Sequence, residues 1–175
     1  QSQSPRVTDL GIGGALSETR YPKCGQTNPQ VHIGIAAISG SSSVIPSETG
    51  GRVEESPSIT WADFDPTLDQ YFGIPFWGPD SQEFFVARMP RLQNTIDLYA
   101  VNVADGSKRH VYNETYKTWL NWFDGVVFTD NGLYMAREFE TGWQQIYFLS
   151  YDGSQFRRLT DGPNWNVDIV RVDEK

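Results

Sequence analysis

Short apolar runs alternate with polar residues along the second half of the chain, and clusters of turn residues separate these runs. Between residues 126 and 162 three such runs follow one another, at 133–137, 146–149 and 156–160. Alternation with a period of two predicts strands, and an Asp-Gly pair between two runs is a strong signal for a tight hairpin. Asp152-Gly153 lies between the second and third runs. The pattern therefore predicts a meander of three antiparallel strands.

The same arrangement occurs earlier in the chain. Residues 85–88 correspond to 134–137, and Asp105-Gly106 corresponds to Asp152-Gly153. A repeat of roughly 48 residues with several strands per unit is typical of β-propeller blades, whose neighbours stack and share a core. We therefore predict an all-β fold, a partial β-propeller of about three antiparallel meander blades with essentially no helix. An unrelated β-sandwich with a chance similarity between its halves is the alternative.

The expected organisation has two parts. Residues 1–30 form an extended lead-in and a Pro/Gly-rich loop, and residues 31–175 form the blades. The repeat units lie at about 71–118 and 119–165, and a further blade starts at 166–175. Closed propellers have at least four blades, so we expect this chain to be a piece of a longer protein.

Two further predictions concern single strands. Pro75 has no backbone N–H to donate to a ladder, so the strand at 71–77 should be an edge strand or be broken there. Residues 31–38 alternate well enough to predict an early strand, and residues 166–172 predict the first strand of the further blade.

Composition favours an ordered domain and limits its partners. Apolar residues make up 38% and aromatic residues 14% of the chain, which is ample material for a core. The net charge of -8 argues against nucleic acid and anionic membranes, and no apolar run is long enough to span a bilayer. With one cysteine, Cys24, and two histidines, we expect no internal disulfide, no metal site and no cofactor. The reactivity of Cys24 is left open.

Several collinear motifs resemble one family. They are Tyr21-Pro22-Lys23 with Gly25 and Asn28-Pro29, then Arg91-Leu92-Gln93-Asn94, Glu114 with Trp119, residues 140–143, and residues 159–167. Together these motifs resemble the N-terminal β-propeller of the dipeptidyl peptidase IV family, which are prolyl-oligopeptidase-like serine peptidases. The similarity covers roughly residues 20–172, and the first motif is the most specific one.

The resemblance implies a function and partners. The chain would be a non-catalytic propeller segment that gates and helps bind peptide substrates for N-terminal dipeptide release. A C-terminal α/β-hydrolase domain of the same parent chain would be its partner, and the location would be periplasmic, cell-surface or secreted. The chain contains no G-x-S-x-G nucleophile motif, and His32 and His110 lack Ser and Asp partners in the family's order. We therefore expect no catalytic residue and no activity from this chain alone.

The resemblance also gives candidate substrate-binding residues, Trp122 and Phe123, whose loop would line the inner mouth of the propeller. The alternative is that these aromatic residues, with Trp119, are core between two blades. Arg88, Arg91 and Arg137 would bind carboxylates or, as surface arginines more often do, form ion pairs.

Two other function classes remain open: a stand-alone propeller-like binding or assembly module without a peptidase partner, and a purely structural piece. Uncovered blade faces also predict self-association.

Overall fold

The computed structural model describes residues 6–10, 16–20, 22, 25–37, 58–123 and 125–173, and all regular structure in this part of the chain is β-sheet. The strands are β1 Arg6–Leu10, β2 Leu16–Arg20, β3 Gly34–Ala36, β4 Ile59–Trp61, β5 Gln70–Phe72, β6 Phe76–Trp77, β7 Glu83–Pro90, β8 Thr95–Asn102, β9 Lys108–Thr115, β10 Val127–Phe128, β11 Gly132–Arg137, β12 Gln145–Ser150 and β13 Phe156–Arg158. The absence of helix in the described residues agrees with the predicted all-β class.

The strands form two antiparallel meanders and two hairpins. In the first meander, β5 and β6 both pair with β7, which is followed by β8 and β9; the second meander has the order β10-β11-β12-β13. The hairpins are β1-β2 and β3-β4. Apart from β5, which pairs with β7 and not with β6, each meander joins sequence neighbours in order, as in a propeller blade. The predicted fold class is confirmed. The break between β5 and β6 falls at residues 73–75, where Pro75 predicts an interruption.

Strand β7 is buried on both of its faces. Phe84 and Val86 pack with Ile33 and Ile35 of the hairpin region that precedes the first meander. Phe85, Ala87 and Met89, which alternate with them, belong to a larger core on the opposite face. Because neither face of β7 meets water, its sequence is a nearly continuous apolar run rather than an alternating one.

The larger core lies between the two meanders. Its buried members come from β7, β8 and β9 on one side, from β11 and β12 on the other, and from the connection between β9 and β10: Phe85, Ala87, Met89, Ile96, Leu98, Ala100, Val111, Tyr112, Leu120, Leu133, Met135, Tyr147 and Leu149. Full burial of one large apolar side chain stabilises a protein by about 1.5–3 kcal/mol. Contacts across this interface therefore hold the two repeats together, as expected for stacked blades.

The two Asp-Gly turns pack against the preceding strands. Gly106 and Gly153 both have positive φ angles, +75° and +76°, and a Cβ atom at either position would collide with a neighbouring backbone. The obstructing carbonyl belongs to Trp61 in the first case and to Val111 in the second. Glycine is thus required at both turns for its conformation and for the close approach of another strand.

Some local predictions differ from the structure. Residues 166–172 contain no strand, because none of the described segments pairs with them. Of the strand predicted at 31–38, residues 31–37 are described, and among them only Gly34–Ala36 form a strand. Strand β13 ends at Arg158 rather than at residue 160. The expected lead-in contains the hairpin β1-β2. Cys24 lies outside the described residues, and the proposed division into residues 1–30 and 31–175 stays a prediction.

Candidate functional site

The two ends of the meanders carry different connections. One end, which we call the short-turn end, has the tight links 78–82, 103–107, 129–131 and 151–155. The other, the long-loop end, has the links 91–94, 116–126 and 138–144, together with the segment 159–165 that follows β13. Three of these four segments contain tryptophan, each of them alongside charged residues. Functional side chains are disproportionately found on loops that a rigid scaffold positions. The long-loop end is therefore the candidate functional surface.

A buried ion pair joins the two meanders beneath this end. The guanidinium of Arg137 on β11 donates to both carboxylate oxygens of Glu114 on β9, with Nε–Oε2 at 2.9 Å and an Nη2–Oε1 distance of 2.8 Å. The side chains are 2% and 1% exposed. The Tyr112 hydroxyl also donates to Glu114, at 3.0 Å, and burial together with the Glu114 charge raises the pKa of Tyr112. Glu114 is thus fully satisfied by a cation and a phenol.

The same arginine fixes the aromatic loop 116–123. Its Nη1 donates to the carbonyl of Trp122 at 3.1 Å, and its Nη2 donates to the carbonyl of Asn121 at 3.0 Å. On the other side of the loop, the backbone N–H of Leu120 donates to Gln93 O, and Tyr116 N–H donates to Asn94 O, both at 2.9 Å. The loop is therefore held by hydrogen bonds to the link 91–94 on one side and to Arg137 of β11 on the other, rather than extending freely into solvent.

The predicted residues Trp122 and Phe123 lie partly buried against the core between the meanders. The Phe123 ring faces the Arg137 guanidinium at 5.0 Å, within the range of a cation–π contact, and Tyr112 at 6.1 Å. The Trp122 ring packs against Gly73. Trp119, in contrast, is 63% exposed. With Tyr116, these two aromatic residues pack against the core. The substrate-binding role of Trp122 and Phe123 stays a prediction.

The other candidate arginines also form ion pairs. Arg88 lies 3.5 Å from Asp97, and Arg91 lies 2.9 Å from Asp69. Asp69 also accepts a hydrogen bond from Asn28, a residue of the most specific sequence motif, at 2.7 Å. Arg91, Asp69 and Asn28 thus connect the Pro/Gly loop to the first meander, which gives these motif residues a structural explanation.

A polar recess of about 280 Å³ opens beside the aromatic loop. Its lining comes from three loops of the long-loop end: Asn121, Glu138, Gly142, Trp143, Gln144, Asn164 and Trp165. Asn121 Nδ2 donates to Glu138 Oε1 at 2.7 Å, and the indole rings of Trp143 and Trp165 meet edge to face, 5.1 Å apart at 85°. A second recess, of about 190 Å³, lies beside β3 and β6 and has a mainly apolar lining. Convergent polar groups make the first recess the better candidate site.

Buried Gln145 holds the far wall of the recess in place. This side chain is 0% exposed; its Oε1 accepts from the Thr160 hydroxyl at 2.8 Å, and its Nε2 donates to Gly162 O at 2.6 Å. The backbone N–H of Gln144 donates to Asn164 O, and Gln144 Oε1 accepts from Val167 N–H at 2.5 Å. Residues 160–167 are therefore fixed against the start of β12.

Comparisons with known proteins agree with this architecture. The family model of the dipeptidyl peptidase IV (DPP IV) N-terminal region matches residues 13–175. The chain belongs to this family. A relative from Emericella nidulans named "Probable dipeptidyl peptidase 4" is 24% identical, over 90% of this chain and 20% of the relative's length.

Two crystal structures share the fold of this DPP IV-type region. Dipeptidyl peptidase 4 of Porphyromonas gingivalis aligns with a TM-score of 0.65 and 20% identity, over 92% of this chain and 22% of that one. A structure from Bacteroides ovatus aligns with a TM-score of 0.62 and 20% identity, over 90% and 23% of the two chains. This chain therefore spans about a fifth of the length of the relatives that it matches.

The described residues provide no metal centre, since no group of three or more His, Cys, Asp or Glu side chains converges there. A helix suited to crossing a membrane is likewise not found in this part of the chain. Sequence reasoning did not identify the recess. In the sequence, Trp143 and Trp165 are noticeable only as members of family motifs. They meet because the loops 138–144 and 159–165, which are separated by the hairpin β12-β13, contact each other in the fold.

Proposed function

We propose that this DPP IV-type N-terminal region is the non-catalytic propeller segment of an exported dipeptidyl-peptidase-like serine peptidase, where it gates and helps bind peptide substrates for N-terminal dipeptide release. The observation that carries the proposal is the family match over residues 13–175, combined with an aromatic loop fixed at the long-loop end. A loop held this firmly presents a preorganised wall to a ligand, which lowers the entropic cost of binding.

In this proposal Phe123 and Trp122 form the substrate-contacting part of the wall. Both rings are only partly buried, so each has surface left after its contacts with Arg137 and Gly73 are made. A partly exposed aromatic ring on a rigid support binds apolar side chains with little loss of conformational freedom.

The chemistry would come from a C-terminal α/β-hydrolase domain of the same parent chain. Acyl transfer needs a nucleophile, a base and an orienting acid within hydrogen-bond reach. Here His110 Nε2 lies 3.2 Å from Asp97, and His32 contacts the Trp61 ring. Neither imidazole, among the described residues, is hydrogen-bonded to a serine hydroxyl. We therefore expect no hydrolysis of an X-Pro dipeptide reporter by the purified 175-residue chain.

We also propose that the isolated chain self-associates through its second meander. In the sheets of the described residues, β13 pairs only with β12. Apolar side chains in the segment that follows β13 in the chain are exposed. These side chains include Leu159 at 42%, Trp165 at 88% and Val170 at 96%. Unpaired strand edges and exposed apolar surface both favour association.

The experiment that tests the substrate role compares two phenylalanines in the complete gene product. Phe123→Leu should lower kcat/KM for an X-Pro dipeptide reporter by about 2- to 10-fold, mainly through KM, since an aromatic contact contributes about 0.5–1.5 kcal/mol. Phe139→Leu is the matched control, because Phe139 is also partly buried against the same core.

Two results would count against the proposal. Equal effects of Phe123→Leu and Phe139→Leu would show that both act through the core and would remove the substrate role of Phe123. A complete gene product that releases no dipeptide from any N-terminal reporter would remove the peptidase assignment itself.

A further inference from the structure

We infer that the recess lined by Trp143, Trp165, Glu138 and Asn121 binds the guanidinium group of an arginine side chain on a peptide or protein. The inference concerns a site distinct from Phe123, and it does not depend on a hydrolase domain. The recess combines an aromatic pair, an anionic group that lacks a cationic partner in the described residues, and a rim of amides, each of which matches one property of a guanidinium.

The aromatic pair provides the first match. Trp143 and Trp165 are perpendicular, so that the edge of one ring abuts the face of the other. Trp165 is 88% exposed and therefore has indole surface open to a ligand. Tryptophan is the most favourable aromatic partner for a cation, and arginine, being planar, stacks on it as well.

Glu138 provides the second match. Asn121 Nδ2 donates to its Oε1, and none of the described Lys, Arg or His side chains forms a salt bridge with it. Its neighbours differ in this respect: Glu140 on the same turn pairs with Arg158, and Arg137 is neutralised by buried Glu114. A carboxylate that faces a recess without a cation attracts one from a ligand, and the net charge of -8 strengthens this attraction.

The rim provides the third match, because a guanidinium has five N–H donors and needs several acceptors. Asn164 Nδ2 is directed towards Asp161 O at 3.3 Å, and Gln144 Oε1 accepts from Val167. Asn164 and Asn121 line the recess beside Glu138, and each has a side-chain oxygen that is able to accept from a guanidinium. Buried Gln145 keeps this wall fixed, so that the acceptors are arranged before a ligand arrives.

The test titrates the 175-residue chain with N-acetylarginine amide while recording the indole N–H signals of its six tryptophans by NMR. We expect saturable shifts of two indole signals, with a dissociation constant in the millimolar range that rises with salt. N-acetylcitrulline amide, which has the same shape without the charge, should bind at least about 5-fold more weakly.

Variants locate the site. Glu138→Gln should weaken binding of the arginine probe at least about 5-fold, and Trp165→Ala should do the same. Trp165 is so exposed that its loss should leave the fold intact. Glu140→Gln is the matched control, because Glu140 lies on the same turn but outside the recess, and it should change the affinity little.

Four results would overturn the inference: no saturable shift, equal binding of the citrulline probe, an affinity unaffected by Glu138→Gln, or the same two indole shifts produced by a neutral oligosaccharide. The fold of each variant is checked by its unchanged amide spectrum away from the recess.

Discussion

Removal of the Glu114 carboxylate is the perturbation whose consequences the structure specifies most fully. Glu114→Gln keeps the shape of the side chain but leaves the guanidinium of Arg137, 2% exposed, without its counter-ion. Loss of one partner of a buried ion pair costs about 3–5 kcal/mol, because the other charge stays buried. For a chain of this size that corresponds to a fall in Tm of roughly 6–20 °C.

The double variant Glu114→Leu/Arg137→Met separates charge from shape. Replacing both charges by apolar groups removes the uncompensated cation, so the double variant should be less destabilised than the sum of the single variants Glu114→Leu and Arg137→Met. It should still be less stable than the natural chain. The Tyr112 hydroxyl and the carbonyls of Asn121 and Trp122 lose their partners, at about 1–3 kcal/mol for each group left unsatisfied. We expect a coupling energy of at least about 2 kcal/mol.

Urea unfolding followed by circular dichroism and tryptophan fluorescence measures these free energies. The control is Glu83→Gln, which breaks the exposed pair with Arg109 and should cost about 0.2–1 kcal/mol. Hydrogen exchange supplies a local readout: the amides of the loop 116–123 should lose more protection in Arg137→Met than those of β12. The reasoning is refuted if Glu114→Gln costs no more than Glu83→Gln, or if the single effects simply add.

The remaining predictions concern turns, acid stability and assembly. Gly153→Ala should destabilise the chain more than Gly142→Ala in urea unfolding: both have φ of +76°, but only at Gly153 would the methyl group meet the Val111 carbonyl, and equal costs would contradict this. Hydrogen bonds from Ser150 and Ser154 lower the pKa of Asp152 to about 2, so its stabilising effect is present above the unfolded value near 3.8 and is lost as the pH falls towards 2. Asp152→Asn should therefore flatten the decline in urea midpoint below pH 4, and an unchanged profile would contradict it. Sedimentation should show concentration-dependent association of the chain that Val170→Asp weakens and Ile74→Asp, at a similarly exposed site, does not; a stable monomer would contradict the proposed self-association.

The strand order and the repeat could be predicted from sequence because both are local patterns. Two-residue alternation, Asp-Gly turns and the missing donor of Pro75 each act within a few residues, and the observed strands β7 to β13 follow them closely. The prediction of a strand at 166–172 was wrong, because strand formation there depends on a pairing partner and not on a local pattern. A strand exists only with a paired neighbour, and alternation alone cannot supply that neighbour.

The buried ion pair illustrates what local patterns miss. The sequence favours a carboxylate-binding or surface role for Arg137, because arginine usually lies at the surface. Yet it shares a face with Leu133 and Met135 at two-residue spacing, and all three are buried. This two-residue spacing from buried apolar residues was the sequence signal that Arg137 is buried. The identity of its partner was not predictable, because Glu114 lies on a different meander and only the stacking of the two sheets brings the charges together.

The difference between the two ends of the meanders follows from the same stacking. At the short-turn end, Gly106 and Gly153 lie against the backbones of Trp61 and Val111, so a longer or bulkier turn would separate the sheets. At the long-loop end, Gly142 has no neighbouring atom where its Cβ would lie, and all the connecting segments except 91–94 are longer than the short turns. Sequence can vary there without disturbing the core, provided that a few buried polar anchors such as Arg137 and Gln145 keep the loops in place. A binding surface on this fold is therefore expected at the long-loop end, where both Phe123 and the tryptophan-lined recess lie.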